Sequence, residues 1–283
     1  MMYIRFEVLL SAHNNALLGF LYVTKESGMR RLTLQEAARL SIPLLDLTSL
    51  NDADTDASIT ALCQKARTPE GWVAAVCVYP RFVALAKQIL SEAPVKVATV
   101  VNFPHGEAPA DVVIVETTEA IRAGADEIDL VFPYKALLAG DENTGRKLVA
   151  AVKAACGEAV RLKVIIESGE LKTPDNVRRA SELAIAAGAD FLKTSTGKVK
   201  VNATLDAAEV MLNCIRESRA PVGFKAAGGV STPEQARLYL SLAMNIMGDD
   251  WVSPDNFRFG ASSLLHNLLV LLGHGSDHAT LEY

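Results

Sequence analysis

Much that would signal a common function class is missing from this chain. Its four cysteines (Cys63, Cys77, Cys156 and Cys214) fall at no CxxC or metal-ligand spacing. That removes dithiol and metal motifs and predicts the reduced thiols of a cytoplasmic protein. Positive charge is not in excess: 28 Lys and Arg stand against 33 Asp and Glu, for a net charge of −5. Neither nucleic acid nor an anionic membrane is therefore an expected partner, and an anionic ligand must be held by a local pocket. No apolar run is long enough to cross a bilayer. There is no GxGxxG after the first apolar strand and no P-loop, so nucleotide-binding open sheets lose ground. No linker or low-complexity segment divides the chain.

What is present is size, apolar content and alternation. Half of the 283 residues are hydrophobic, enough for one large core. Residues 1–28 do not match the rest: their apolar patch is broken by Ser11-Ala12-His13-Asn14-Asn15, which makes a poor secretory signal. They read as a poorly ordered appendage, with the better-patterned sequence beginning at Met29. Beyond it, strand patterns around 43–47, 73–79, 95–101, 127–132, 162–167, 191–194, 222–225 and 258–260 alternate with helix patterns. The clearest helices are at 56–67, 110–123, 144–155, 174–187, 205–218 and 233–244. Eight strands with helical crossovers predict an α/β fold, a single-domain (β/α)8 TIM barrel over 29–272, with a flexible tail over 273–283. Thr173-Pro174 and Thr232-Pro233 read as helix N-caps followed by Pro, and Ala123-Gly124 and Ala187-Gly188 as helix stops.

Two segments share one register. Ala123-Gly124-Ala125-Asp126-Glu127-Ile128-Asp129 and Ala187-Gly188-Ala189-Asp190-Phe191-Leu192-Lys193 each close a helix and open an apolar strand. Counted from the glycine, Asp129 and Lys193 occupy the same position, so strand parity offers a carboxylate and an amine to one surface. Phe224-Lys225 places a second lysine on the next strand. Burying such a set is costly, which points to catalysis; the competing reading is a structural ion pair. An amine attacks a carbonyl only when unprotonated. A neighbouring ammonium at roughly 5 Å, with an effective dielectric near 20, favours proton loss by about 3 kcal/mol. Two adjacent lysines therefore suit Schiff-base chemistry, with Asp129 relaying protons. The residues alone leave open which lysine is the nucleophile.

Glycine and hydroxyl loops follow the last three strands: Thr194-Ser195-Thr196-Gly197-Lys198, Ala227-Gly228-Gly229-Val230-Ser231 and Phe259-Gly260-Ala261-Ser262-Ser263. Exposed backbone N–H groups and a helix start after Ser263 suit a phosphate, and barrels commonly bind phosphate after strands seven and eight. This assigns Gly197, Lys198, Gly228, Gly229, Gly260, Ser262 and Ser263 to phosphate binding. Asp46 and Thr48, ending the first strand, are expected to contact substrate hydroxyls. Cys77, near the predicted site, is a weaker candidate, and His105 reads as a loop residue or a pocket-shaping one.

Several segments together resemble deoxyribose-phosphate aldolase. They are Asp46-Leu47-Thr48, Cys77-Val78-Tyr79-Pro80, Asn102-Phe103-Pro104-His105-Gly106, Glu127-Ile128-Asp129-Leu130-Val131, Lys163-Val164-Ile165-Ile166-Glu167, Lys193-Thr194-Ser195-Thr196-Gly197-Lys198, Gly223-Phe224-Lys225 and Phe259-Gly260-Ala261-Ser262-Ser263. The resemblance runs from about Leu40 to Tyr283. It implies that Lys193 forms the Schiff base, Lys225 tunes it and Asp129 shuttles protons. It also implies the reaction: reversible cleavage of 2-deoxy-D-ribose 5-phosphate to acetaldehyde and D-glyceraldehyde 3-phosphate, in deoxyribonucleoside catabolism. No metal or other cofactor is implied; the partners are a phosphosugar and aldehydes, and the assembly a monomer or homodimer. Some family members fold a terminal tyrosine over the site, which makes Tyr283 a further candidate. Two positions depart from similar bacterial members: Ala226 stands where they carry proline, and Ser231 where they often carry a basic residue. A metal-dependent aldolase needs a histidine cluster at the strand ends, where only His105 falls. The non-enzymatic alternative is a phosphosugar-binding barrel that has lost turnover.

Overall fold

The computed structural model describes residues 32–275. The expected appendage over 1–28, the tail beyond residue 275 and Tyr283 lie outside the described residues. Eight strands close into a barrel in chain order: β1 (Leu45–Thr48), β2 (Ala75–Val78), β3 (Lys96–Val101), β4 (Glu127–Val131), β5 (Arg161–Ile165), β6 (Phe191–Lys193), β7 (Gly223–Ala227) and β8 (Phe257–Ala261). All pair in parallel, and β1 closes the ring with Asp46 between Ala75 of β2 and Gly260 of β8. The fold is a (β/α)8 TIM barrel. Each strand lies within a few residues of where its apolar run predicts it.

The six long helices also stand where their periodicity places them: Asp56–Lys65, Ala110–Arg122, Glu142–Cys156, Pro174–Ala186, Leu205–Ser218 and Pro233–Met247. The side chains of Thr173 and Thr232 cap two of them, accepting from the backbone N–H groups of Asn176 and Gln235, with Pro174 and Pro233 in the first turn. Sequence periodicity missed the shorter helices Val83–Ile89, Tyr134–Leu138 and Ser168–Leu171. One or two turns carry too few residues to show a 3.6-residue repeat.

The repeated Ala-Gly-Ala-Asp segments prove to be one device used twice. Gly124 and Gly188 turn the chain out of a helix at φ +103° and +97°, a conformation that favours glycine. A Cβ at either would come within 3.1 or 3.2 Å of a lysine stem, that of Lys87 or Lys153. Those lysines reach over the glycines to Asp126 and Asp190, at 2.9 and 2.8 Å. The same carboxylates accept the Val97 and Leu162 backbone N–H of the preceding strand, at 2.8 and 2.7 Å. Each clamp sets where the next strand starts. The parity of Asp129 and Lys193 follows from it.

Alternation then sorts the strands into two layers. Val97, Ile128, Leu130, Val164, Leu192 and Phe224 pack outward into the layer shared with the helices. Registered neighbours share a face, so the opposite parity lines the lumen: Cys77 beside Ala98, Ala98 beside Glu127, Val100 beside Asp129, Lys163 beside Phe191 and Lys193 beside Lys225. Gly223 leaves room for the Phe191 ring, whose atoms a Cβ there would approach to 2.5 Å.

Candidate active site

Asp129, Lys193 and Lys225 converge in the lumen. The Lys193 ammonium donates to Asp129 Oδ2 at 2.9 Å, and the Lys225 ammonium donates to the same oxygen at 2.8 Å. The two lysines lie side by side in register, and their strands are tied just above. There the Thr194 hydroxyl accepts the Ala227 N–H at 3.0 Å and donates to the Ala227 carbonyl at 3.1 Å. The Asp129 carboxylate thus stands between the two ammonium groups. Burial works against the Lys225 charge, but Asp129 and Asp46 outweigh it and hold the pKa above the ordinary lysine value. Asp129 is held well below the carboxylate range, the penalty of burial being overcome by Lys163, Lys193 and Lys225.

Beneath this trio lies a second charged tier, of which only Asp46 is a candidate from the sequence. Lys163 of β5 bridges Glu127 Oε2 at 2.5 Å and Asp129 Oδ1 at 2.9 Å. Arg258 of β8 bridges Asp46 at 2.6 Å and Glu127 at 3.0 Å, with its guanidinium 5.9 Å from the centre of the Phe191 ring. Asp46 belongs to this tier. It is fully buried and pairs with Lys225 at 2.6 Å, instead of reaching the cleft where a hydroxyl would lie. Burial would raise its pKa, but Lys225, Arg258 and Lys163 hold it below the ordinary range. Two residues of this tier carry a legible signal, a charge set between apolar neighbours inside a strand, as in Leu162-Lys163-Val164 and Phe257-Arg258-Phe259, whereas Glu127 follows the charged Asp126 at the start of its strand.

Above Lys193 a cleft of about 320 Å³ opens at the C-terminal end of the strands, where barrels build their active sites. Lys193 reaches its floor; Asp129 and Lys225 lie fully buried behind. Gly197, Lys198, Gly228, Gly229, Gly260, Ser262 and Ser263 all line the wall, as does Thr48. Gly228 and Gly229 have φ near +81° and +83°, turning the loop after β7 across the cleft. Gly260 has a second reason to be glycine, since a Cβ there would lie 2.8 Å from Lys225 Cε. The ammonium of Lys198 spans the mouth and donates to the Leu50 carbonyl at 2.6 Å. Helix Leu264–Leu271 begins at the rim with no side chain capping its first turn, leaving its N–H groups to face an anion.

Glu167 lies two residues beyond β5, at the start of helix Ser168–Leu171, with a left-handed backbone, φ +54°. Its buried carboxylate accepts the Thr196 hydroxyl at 2.6 Å and the Thr196 N–H at 3.2 Å. It thereby holds the loop that carries Lys198. Burial raises its pKa, with the Thr196 hydrogen bonds acting the other way. Cys77 is fully buried with Leu50, Ala98 and Val100, away from the cleft wall, and burial raises its thiol pKa. His105 is exposed and takes no part in the cleft. Among the described residues no group of three or more His, Cys, Asp or Glu side chains is arranged to hold a metal ion, and no helix is long and apolar enough to cross a membrane.

Residues 40–269 match the model of the DeoC/LacD family aldolases. The chain belongs to this aldolase family. Similar solved structures agree. A candidate deoxyribose-phosphate aldolase from Toxoplasma gondii ME49 is 29% identical with a TM-score of 0.78, over 88% of this chain and 99% of that one. Another from Coccidioides immitis is 28% identical with a TM-score of 0.74, over 83% of this chain and 86% of that one. The deoxyribose phosphate aldolase from Aeropyrum pernix, 24% identical at a TM-score of 0.69 over 86% and 94% of the two chains, shares the fold. In this aldolase, the two departures from the resemblance fall in different layers. Ala226 packs outward in the helix-facing core. Ser231 lines the cleft with its N–H bonded to Gln235 Oε1 at 2.8 Å, where the glutamine belongs to the capping box of helix Pro233–Met247.

Proposed function

We propose that this aldolase cleaves 2-deoxy-D-ribose 5-phosphate reversibly to acetaldehyde and D-glyceraldehyde 3-phosphate through a Schiff base on Lys193. The observation that carries the reading is that Lys193 is the one cation of the buried cluster to reach the cleft floor, held 2.9 Å from Asp129. The phosphate would lie against the glycine loops, the Ser262-Ser263 turn and Lys198, which places the C1 aldehyde at the floor.

Lys193, as the free amine, attacks C1. Loss of water from the carbinolamine gives a protonated imine, an electron sink. Removal of the C3 hydroxyl proton drives cleavage of the C2–C3 bond, and that electron pair becomes the enamine on Lys193. D-Glyceraldehyde 3-phosphate leaves; protonation of the enamine carbon and hydrolysis then release acetaldehyde and restore the lysine. Asp129, in hydrogen-bond reach of Lys193, moves protons directly or through water, and Lys225 keeps the Asp129 carboxylate ionised and aimed. The reading carries with it a place in deoxyribonucleoside catabolism and a cytoplasmic setting.

The test is borohydride reduction with and without deoxyribose 5-phosphate or acetaldehyde, followed by peptide mass mapping. A substrate-dependent adduct on Lys193, with acetaldehyde released in a coupled assay, supports the proposal. An adduct on Lys225 reverses the lysine roles. No adduct on folded protein that binds the sugar phosphate points to a binding protein without turnover.

A further inference from the structure

Seven charged side chains meet in the lumen: three carboxylates (Asp46, Glu127 and Asp129) against four cations (Lys163, Lys193, Lys225 and Arg258). The cations are not equally held. Lys163 faces three carboxylates, with Asp46 at 3.8 Å the farthest. Lys225 faces Asp46 and Asp129, and Arg258 faces Asp46 and Glu127. Lys193 has one ion-pair partner, Asp129.

A surplus buried charge costs several kcal/mol. With all four cations charged the set carries one surplus; it balances when one of them is neutral. Arginine does not lose its proton in proteins. Of the three lysines, Lys193 has the fewest carboxylates and is the one open to the cleft. We infer that Lys163, Glu127 and Arg258, none of which touches the cleft, are positioning residues that act through Asp129 and leave Lys193 as the unmatched cation of the set. This rests on the aldolase reading above and explains why Lys193 is its nucleophile. Lys163 and Arg258 are held in their charged forms: burial opposes the charge, but the surrounding carboxylates outweigh it. Two further titratable groups interact with this set, Cys77 from β2 and Glu167 from the segment after β5. At the far end, Glu127 and Arg258 line a second polar opening of about 290 Å³ at the N-terminal ends of the strands, so the charged set runs from Lys193 at the cleft floor to that opening.

The test is cyanoborohydride trapping of acetaldehyde on Lys193 as a function of pH, with circular dichroism to confirm folding. Removing a carboxylate enlarges the surplus, so Glu127→Gln moves the half-maximal pH of trapping down by about one unit, the size a neighbouring charge produces. Removing a cation cancels the surplus, so Lys163→Met moves it up by a similar amount; Lys163→Arg keeps the wild-type profile, and the double variant returns towards it. A packing role predicts no opposite signs. Should Lys163→Met not fold, Glu127→Gln alone decides: an unchanged or upward profile overturns the inference. Trapping in the wild type with variant profiles that move together, or not at all, overturns the inference alone. No trapping on wild-type Lys193 at any pH overturns the aldolase reading, and this inference with it.

Discussion

The lumen of the barrel has two unlike sides. Strands β4 to β8 and β1 project seven charges inward, whereas the central lumen positions of β2 and β3 offer Cys77, Ala98 and Val100, packed with Leu50. Both sides are buried. The difference lies in what burial demands of each. Charges survive there only because every one has a partner within 3.0 Å, and the partners come from strands distant in sequence. The small apolar side needs no partners, and its lack of bulk leaves the long lysine stems room. Charge is concentrated on one wall, and the opposite wall is its spacer.

The sharpest way to break the charged side is Asp129→Asn, which keeps the volume and removes the charge at its centre. Turnover is expected to fall by about 10²–10⁴-fold, the range for a lost proton-transfer group, and stability by about 3–5 kcal/mol, since three lysines lose a carboxylate. A coupled aldehyde assay and urea unfolding measure both. The apolar side can be broken by giving it what its neighbour has. Ala98→Asp places an unpaired carboxylate beside Glu127 and is expected to cost on the order of 3–5 kcal/mol; a variant as stable as the wild type would mean that the two sides are interchangeable.

Acid should act on the charged side first. Asp46 and Asp129 have pKa values held below the ordinary one, so their contribution is fully present above the unfolded-state value of about 3.9. It is lost as pH falls from there towards the folded values. Urea midpoints should drop below about pH 4, and Asp46→Asn, destabilised already at neutral pH, should show a flatter fall over that range. On the apolar side, Cys77→Ala is expected to cost less than about 1.5 kcal/mol and to leave turnover within about twofold, because a raised thiol pKa makes a poor nucleophile. The smallest effect belongs to the cleft rim. Ser231→Arg should lower KM for the phosphorylated sugar several-fold with kcat unchanged; an unmoved KM means that this rim position does not meet the phosphate.

The eight strands and six long helices were legible because apolar periodicity and turn residues are local signals. Asp129, Lys193 and Lys225 were legible for the same reason, each lying at a countable distance from a glycine or at a strand end. Lys163 and Arg258 interrupt apolar strands in the same way, but Glu127 follows Asp126 at the start of its strand and reads as part of a polar turn. Attention to strand ends left out the charges one layer deeper. The position of Asp46 near a strand end predicts a contact with substrate. Its actual partners, Lys225 and Arg258, lie 179 and 212 positions away.

By itself the amino-acid sequence determined the alternation that makes a barrel, the glycines that start β4 and β6 in one register, and the parity that turns their charges inward. Those are properties of neighbouring residues and of the chain's own geometry. Only the tertiary structure decided how the charges are shared: that one carboxylate stands between the two lysines, that Lys193 has a single ion-pair partner, and that Lys193 alone of the buried cations meets the cleft. Pairing in a low-dielectric interior depends on which side chains closure of the ring brings within 3 Å, and no local pattern records that distance.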